Sequence, residues 1–304
     1  MTNRAPASER LWRGFLSTAL SADYRRSLFP GQINIADLGA PPVLSDMELI
    51  TDGNTIDAAG QVSTLDWDSQ FFGQPAGRLD NLYFDSQAGS PFSTRQKLAN
   101  TLVRKSDQQG IKFLSVRITA EDTLLVHALE NTGFRLSDLL NIYTVKLEGE
   151  GREISGHPED VMEILQPCIA DMNFGRIHQD PNIEDDLANA FYTKTTEWVL
   201  SGKCHVSSIK ENGKAIGFAI GVLDEDMSKA LQTRYGFLWL IAVHPEYKGC
   251  GMGSRLLKTF MDEFSTSCDL LEIGTQAANI PANRIYQTSG CRLATQAFTF
   301  HRWT

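Results

Sequence analysis

The stretch Val243-His244-Pro245-Glu246-Tyr247-Lys248-Gly249-Cys250-Gly251-Met252-Gly253-Ser254 decides how the C-terminal half of the chain folds. The run Tyr235 to Val243 leads into it, apolar on both faces and so expected at the centre of a sheet. A helical pattern with Leu256, Leu257, Phe260, Met261 and Phe264 leads out of it. Between them lies a basic, glycine-rich turn. Backbone N–H groups at a helix start, helped by the helix dipole, hold phosphate or pyrophosphate. Gly249, Gly251 and Gly253 would let the backbone approach such an anion with no Cβ in the way. A tight structural turn uses the same residue types. The spacing is neither GxxxxGKS/T nor GxGxxG, so a nucleoside triphosphate or nicotinamide site is not indicated.

Working outward, a helix is expected from about Pro158 to Asp171, with proline in its first turn. A second follows Asn182 as its cap, burying Ile183, Leu187, Phe191 and Trp198 and ending at Gly202. Asn212-Gly213 between two strand-like runs predicts a hairpin, because both residues tolerate positive φ. Strand Leu270–Gly274, helix Pro281–Thr288 and a last strand with Phe298 and Phe300 on one face complete the order ααβββαβαβ. Three consecutive strands before the first crossover helix exclude a doubly wound dinucleotide fold.

Composition bounds the remaining possibilities. The chain has 304 residues, 42% of them hydrophobic, and a formal net charge of -9. It can bury a full core, and it lacks the basic surface that nucleic acid requires. Five scattered cysteines without a CxxC pair, and six scattered histidines, give no disulfide framework and no metal site. No apolar run approaches the roughly 20 residues that span a bilayer, and the N-terminus does not read as a signal peptide. A soluble cytoplasmic protein with no membrane partner is expected. Three regions separate: residues 1–60, holding a helix over about Leu11–Leu28 and an extension; a middle region, 61–150; and 151–304, after the polar string Glu148 to Glu153. The apolar face of the first helix would serve either a homodimer or the domain's own core.

Two motifs then carry a resemblance. Lys248-Gly249-Cys250-Gly251-Met252-Gly253 resembles the (Arg/Gln)xxGx(Gly/Ala) signature of the GNAT superfamily of acetyl-CoA-dependent N-acetyltransferases, with lysine in place of the usual Arg or Gln. Asn279 to Gly290 resembles that family's AsnxxAlaxxxTyr pattern followed by a helix-ending glycine, through Asn279, Ala282 and Tyr286. The resemblance covers about residues 155–303. It implies an α/β fold of the GNAT type, a mixed and mostly antiparallel sheet flanked by helices. It also implies a V-shaped opening between strands Tyr235–Val243 and Leu270–Gly274 that takes acetyl-CoA as co-substrate. Pyrophosphate would sit on the amides of Gly249, Cys250, Gly251, Met252, Gly253 and Ser254 beside Lys248. Pantetheine would pair with the backbone of Ile241 and Val243 and with Asn279.

Amine attack on a thioester, by direct transfer in a ternary complex, expels a thiolate that a phenol within reach can protonate. Tyr286 takes that role in the resemblance, and its pKa of about 10 keeps the proton available at pH 7. A packed helix aromatic is the other reading of Tyr286. His244 and Glu246, at the end of the central strand, are candidates for the base and equally suit a structural turn, so the base is not assigned.

HALENTGFRL (His127 to Leu136) aligns with RIYQTSGCRL (Arg284 to Leu293), and FLSVRI before it resembles the corresponding strand. This suggests a degenerate GNAT-like half in the middle region. Leu129 stands at the position of Tyr286, and no basic glycine turn precedes Phe113. LDWDSQFFGQPAGRL, ALENTGF and FGRIHQDP resemble the dTDP-fucosamine acetyltransferase branch. That resemblance implies a small-molecule amine acceptor, a dTDP-amino sugar, with the Asn173–Asp180 loop at its site and Arg176 and His178 as its contacts. Arg176 would pair with a diphosphate oxygen. The alternatives are another small amine, a peptide N-terminus, or a non-catalytic acyl-CoA-binding module.

Overall fold

A computed structural model describes residues 47–53, 55–85, 89–149, 151 and 153–304. The helix expected over Leu11–Leu28 lies outside the described residues. Two compact units interleave along the chain: among the described residues, the first runs up to Leu139 and adds Thr295–Thr304, and the second is Leu140–Ala294.

The interleaving comes from two long strands, β5 (Arg135–Lys146) and β10 (Arg292–Trp303), each of which changes unit part-way. From Leu140 onward β5 pairs antiparallel with β9 (Leu270–Gln276) in the second unit. From Ala297 onward β10 pairs antiparallel with β4 (Phe113–Thr119) in the first. The expected division into 1–60, 61–150 and 151–304 differs from this. Residue 60 lies inside β2 (Thr55–Thr64). The glycines of the polar string pack on the second unit, where a Cβ at Gly149 would meet Ser265 Oγ at 2.6 Å. Polar composition signals exposure, not where compact units divide.

The first unit orders its strands β1 (Glu48–Asp52), β2, β3 (Ala76–Phe84), β4, β10. Only the β3–β4 pair is parallel among these neighbours. A short helix, α1 (Asp66–Phe72), precedes β3. Helices α2 (Pro91–Gln108) and α3 (Thr123–Glu130) bury Leu98, Leu102, Leu125 and Leu129 against Leu114, Val116 and Phe300. Phe300 is thus core, with Phe298 packed beside it on the same strand.

The second unit orders its strands β5, β9, β8 (Tyr235–Val243), β7 (Lys214–Leu223), β6 (His205–Glu211), with β8 and β9 parallel and the remaining neighbours antiparallel. The β6–β7 hairpin turns on Asn212 and Gly213 with φ of 51° and 81°, as their tolerance of positive φ predicts. One face packs on α7 (Met252–Phe264) through Leu256, Leu257, Phe260 and Phe264. The other is covered by α4 (Pro158–Ala170) and α5 (Asp185–Leu200). The mixed α/β sheet flanked by helices is the expected architecture.

Three local expectations are corrected. Asn182 does not cap α5: it bonds Asp180 Oδ1 through its backbone N–H (2.9 Å) and its side-chain amide (3.0 Å), and the helix starts at Asp185. That later start sets which face is buried. Ala188, Phe191, Thr196 and Val199 point inward, while Leu187 and Trp198 are exposed. Finally, β7 and β8 are separated by a short helix, α6 (Glu225–Leu231), whose cap Asp224 accepts the Met227 N–H. None of the described helices is long and apolar enough to cross a membrane.

Candidate active site

The site is built by a flaw in the register of β8. Against β7, Leu238 faces Gly221 and Leu240 faces Ile220, so Trp239 is an extra residue. A bulge of this kind bends its strand and re-aims the residues beyond it. Against β9 the parallel pairing runs from Tyr235↔Leu270 to Leu238↔Ile273 and stops there, one residue before the bulge. Beyond it a cavity of about 370 Å3 opens, lined by Leu238–Ile241 on one strand and Gly274–Gln276 on the other. Asn279 and Tyr286 of the helix after β9, α8 (Ile280–Thr288), reach the same cavity. The opening lies between the two strands that the resemblance indicates.

At the far end of β8 a single 3-10 turn, Pro245–Tyr247, leads into the glycine turn. His244 caps that turn, its Nδ1 accepting the Glu246 N–H, and Glu246 projects into solvent. Gly249 and Gly251 both have φ of 77°, and a Cβ at either would meet nothing within 4 Å. Gly251 is the N-cap of α7 and offers no side-chain acceptor, so the first N–H groups of the helix face an open approach. Gly253 has a different job: a Cβ there would lie 2.9 Å from Ile285 Cδ1, so it lets α8 pack against α7. Lys248 and Cys250 are exposed, and Lys248 Nζ is paired with Asp171 after α4. Met252 packs partly into the core, Ser254 is exposed, and Val243 is buried. Ile241 lines the cavity.

Asn279 caps α8. Its Oδ1 accepts the Ala282 N–H at 3.3 Å and its Nδ2 donates to Thr275 Oγ1 at 3.3 Å. Tyr286 is buried among protein atoms at 4% exposure yet borders the cavity. No described residue gives its hydroxyl a hydrogen-bond partner. Burial first, then the buried Cys291 thiol and Tyr143, push its phenol well above the ordinary tyrosine value, so it is a neutral O–H donor.

The loop before α5 forms another wall through Phe174, Gly175 and Arg176, facing Phe191 and Tyr192 of the helix. The Arg176 guanidinium sits 5.7 Å from the Phe191 ring centroid. His178 is not in the lining. Its ring stacks on Tyr192 at 5.1 Å and its Nε2 bonds Asn189 Oδ1 at 3.0 Å, so it braces a wall residue from behind. Gly175 allows this packing, since a Cβ there would clash with the Tyr192 hydroxyl. Sequence reasoning missed Tyr192 and Trp239; only their aromatic character, in a helix and a bulged strand, was there to be read.

The first unit repeats the design in its strand registers. The β2–β3 register slips near Asn81, whose φ is 53°, and the parallel β3–β4 pairing ends at Leu79↔Val116. At the corresponding mouth, Arg95 of α2 binds the Asp122 carboxylate at 2.7 and 3.0 Å and lies 4.5 Å from the Phe84 ring centroid. Leu129, in the place of Tyr286, is core. Residues 86–88, before α2, lie outside the described residues.

Residues 171–291 match the Acetyltransferase (GNAT) family. That segment of the chain is a GNAT acetyltransferase domain. Among similar proteins, the spore coat polysaccharide biosynthesis protein SpsD of Bacillus subtilis (strain 168) is 25% identical over 213 residues, 66% of this chain and 69% of that protein. A GCN5-related N-acetyltransferase from Sphaerobacter thermophilus has a TM-score of 0.53 at 12% identity, over 99% of this chain and 94% of its own. A tandem GNAT protein from the clavulanic acid biosynthesis pathway has a TM-score of 0.51 at 12% identity, over 98% and 94%. These solved structures share the fold.

Proposed function

We propose that the second unit transfers an acetyl group from acetyl-CoA to the amine of a nucleotide-linked amino sugar, by direct transfer in a ternary complex. The observation that carries the reading is the cavity opened by the Trp239 bulge, bordered by a neutral phenol whose hydroxyl no described residue occupies. When bound, acetyl-CoA supplies an activated acetyl thioester. The residues present fit it: side chains at Gly249 and Gly251 would fill the approach to the α7 amides that a pyrophosphate needs. Ile241 and Val243 offer β8 backbone beyond the end of its pairing with β9. Asn279 keeps its mouth position while capping its helix, and the Tyr286 O–H holds the proton that a departing thiolate sulfur requires.

The amino-sugar acceptor draws support from two sources. One is the relative named for spore coat polysaccharide biosynthesis. The other is the chemistry of the wall, where Arg176 offers a cation to a diphosphate and Phe174, Tyr192 and Trp239 offer flat apolar faces to a sugar or base ring. With Leu129 in the place of Tyr286 and Asp122 paired to Arg95, the first unit serves no second transfer. The five cysteines are free thiols, which supports a reducing, cytoplasmic setting.

The test follows free thiol release from acetyl-CoA across a panel of dTDP-4-amino-4,6-dideoxy sugars, simple hexosamines, polyamines and short peptides. Turnover confined to the nucleotide sugars is expected. Turnover only on another amine would discard the acceptor and keep acetyl transfer, and acetyl-CoA binding without turnover on any amine would favour the acyl-CoA-binding alternative.

A further inference from the structure

A second phenol lies beside Tyr286. Tyr143, on the part of β5 that belongs to the second unit, places its ring centroid 5.8 Å from that of Tyr286 at an interplanar angle of 59°. Both rings are buried, and their hydroxyls have opposite surroundings. The Tyr143 hydroxyl meets Asn283 Oδ1 at 2.8 Å and Gln287 Nε2 at 3.2 Å.

The direction of these bonds follows from the backbone. The Asn283 amide nitrogen faces three carbonyls, those of Asn279 (2.7 Å), Gln276 (2.9 Å) and Ala277 (3.3 Å). Carbonyls only accept, so the NH2 must point at them, and the Asn283 oxygen must face β5. There it accepts from Asn141 Nδ2 at 2.8 Å and from Tyr143 Oη at 2.8 Å. The Tyr143 proton is therefore committed to Asn283, and its oxygen accepts from Gln287. Every hydrogen-bonding position of a buried amide is filled, the condition under which burying one is affordable.

We infer that Asn283 and Tyr143 form a positioning clamp that sets the rotation of α8, and with it the aim of the Tyr286 hydroxyl into the cavity; this rests on the acetyl-transfer reading above. Asn283 ties the helix to the loop leaving β9 and to β5 at once, and Tyr286 follows it by three residues, about one turn along. The clamp also decides which phenol can act. Tyr143 has no proton to give without breaking the Asn283 bond, whereas the Tyr286 proton has no protein acceptor among the described residues.

The test uses the full chain with Tyr143→Phe, Tyr286→Phe and the double variant, measuring kcat, KM for acetyl-CoA and the thermal midpoint. Tyr143→Phe is expected to lower kcat about tenfold with KM within about twofold, and to add no further loss in the Tyr286→Phe background. Gln287→Ala, at an exposed position, is the gentler second variant and is expected to lower kcat about two- to threefold with the same non-additivity. A wild-type kcat in Tyr143→Phe, or an equal fold-loss in both backgrounds, overturns the clamp and leaves the proton-donor reading standing. A wild-type kcat in Tyr286→Phe overturns both.

Discussion

Asp122 and Asn279 hold the same position in two copies of one strand–helix unit, each capping its helix by accepting the N–H three residues on, from Leu125 at 3.0 Å and Ala282 at 3.3 Å. The copies keep one register over their length: Phe113 and Leu270 begin the strands, and Gly133 and Gly290 follow the helices with φ of 90° and 85°. They part in charge. The carboxylate cap pairs with Arg95, whereas the neutral amide of Asn279 bonds Thr275 in the lining of the cavity.

The Tyr286 hydroxyl is expected to act as the proton donor. Tyr286→Phe should leave acetyl-CoA affinity nearly intact and lower kcat by roughly 10²-fold. Burial holds the phenol protonated past its ordinary value of 10.0, so kcat should show no alkaline limb from this residue below that pH. Folding follows the same sign. The unfolded phenol ionises first as pH rises through 10.0, so stability falls above it, and Tyr286→Phe should blunt that fall in urea midpoints taken across pH 9 to 11.

Asp122→Ala removes a cap and an ion pair from the first unit without touching the cavity of the second. It is expected to cost about 1–2 kcal/mol of stability. The kcat and the KM for acetyl-CoA should stay at wild-type values; a loss of either would give the first unit a part in transfer.

Asp160 sits in the first turn of α4, bonded to Lys210 at 2.7 Å, the His157 N–H at 3.0 Å and Ser208 at 2.9 Å. Burial works to raise its carboxyl, but these partners outweigh it and hold it below the ordinary 3.8. A depressed carboxylate stabilises the fold above its unfolded value, and that stabilisation is lost as pH falls through the folded one. Asp160→Asn should therefore cost about 1–2 kcal/mol at pH 7. The gap in urea midpoints should narrow progressively below pH 3.8.

The glycine turn and the Asn279–Tyr286 helix were legible because each is a local device: positive φ at Gly249 and Gly251, and a cap three residues before the amide it accepts. The walls were not. Tyr235 to Val243 reads as a uniform apolar strand, and nothing in its pattern marks Trp239 as the extra residue that parts β8 from β9. The Asn173–Asp180 loop was readable as a wall through Arg176, but His178 stacks on Tyr192 of the next helix, a relation that packing alone decides. The apolar character of β5 and β10 marks them as strands without showing which strands they pair with, so the interleaving of the units stayed hidden.

The central claim is that one unit of this chain holds acetyl-CoA, with its pyrophosphate on the open turn before α7. Calorimetric titration of acetyl-CoA into the wild type and into Gly251→Val tests it most directly. A stoichiometry of about one per chain is expected for the wild type. Binding should be abolished in the variant while its far-ultraviolet circular dichroism stays native, because a β-branched residue is strained at the φ of 77° that the cap requires and would fill the approach. Two sites per chain, or wild-type affinity in Gly251→Val, would contradict the account.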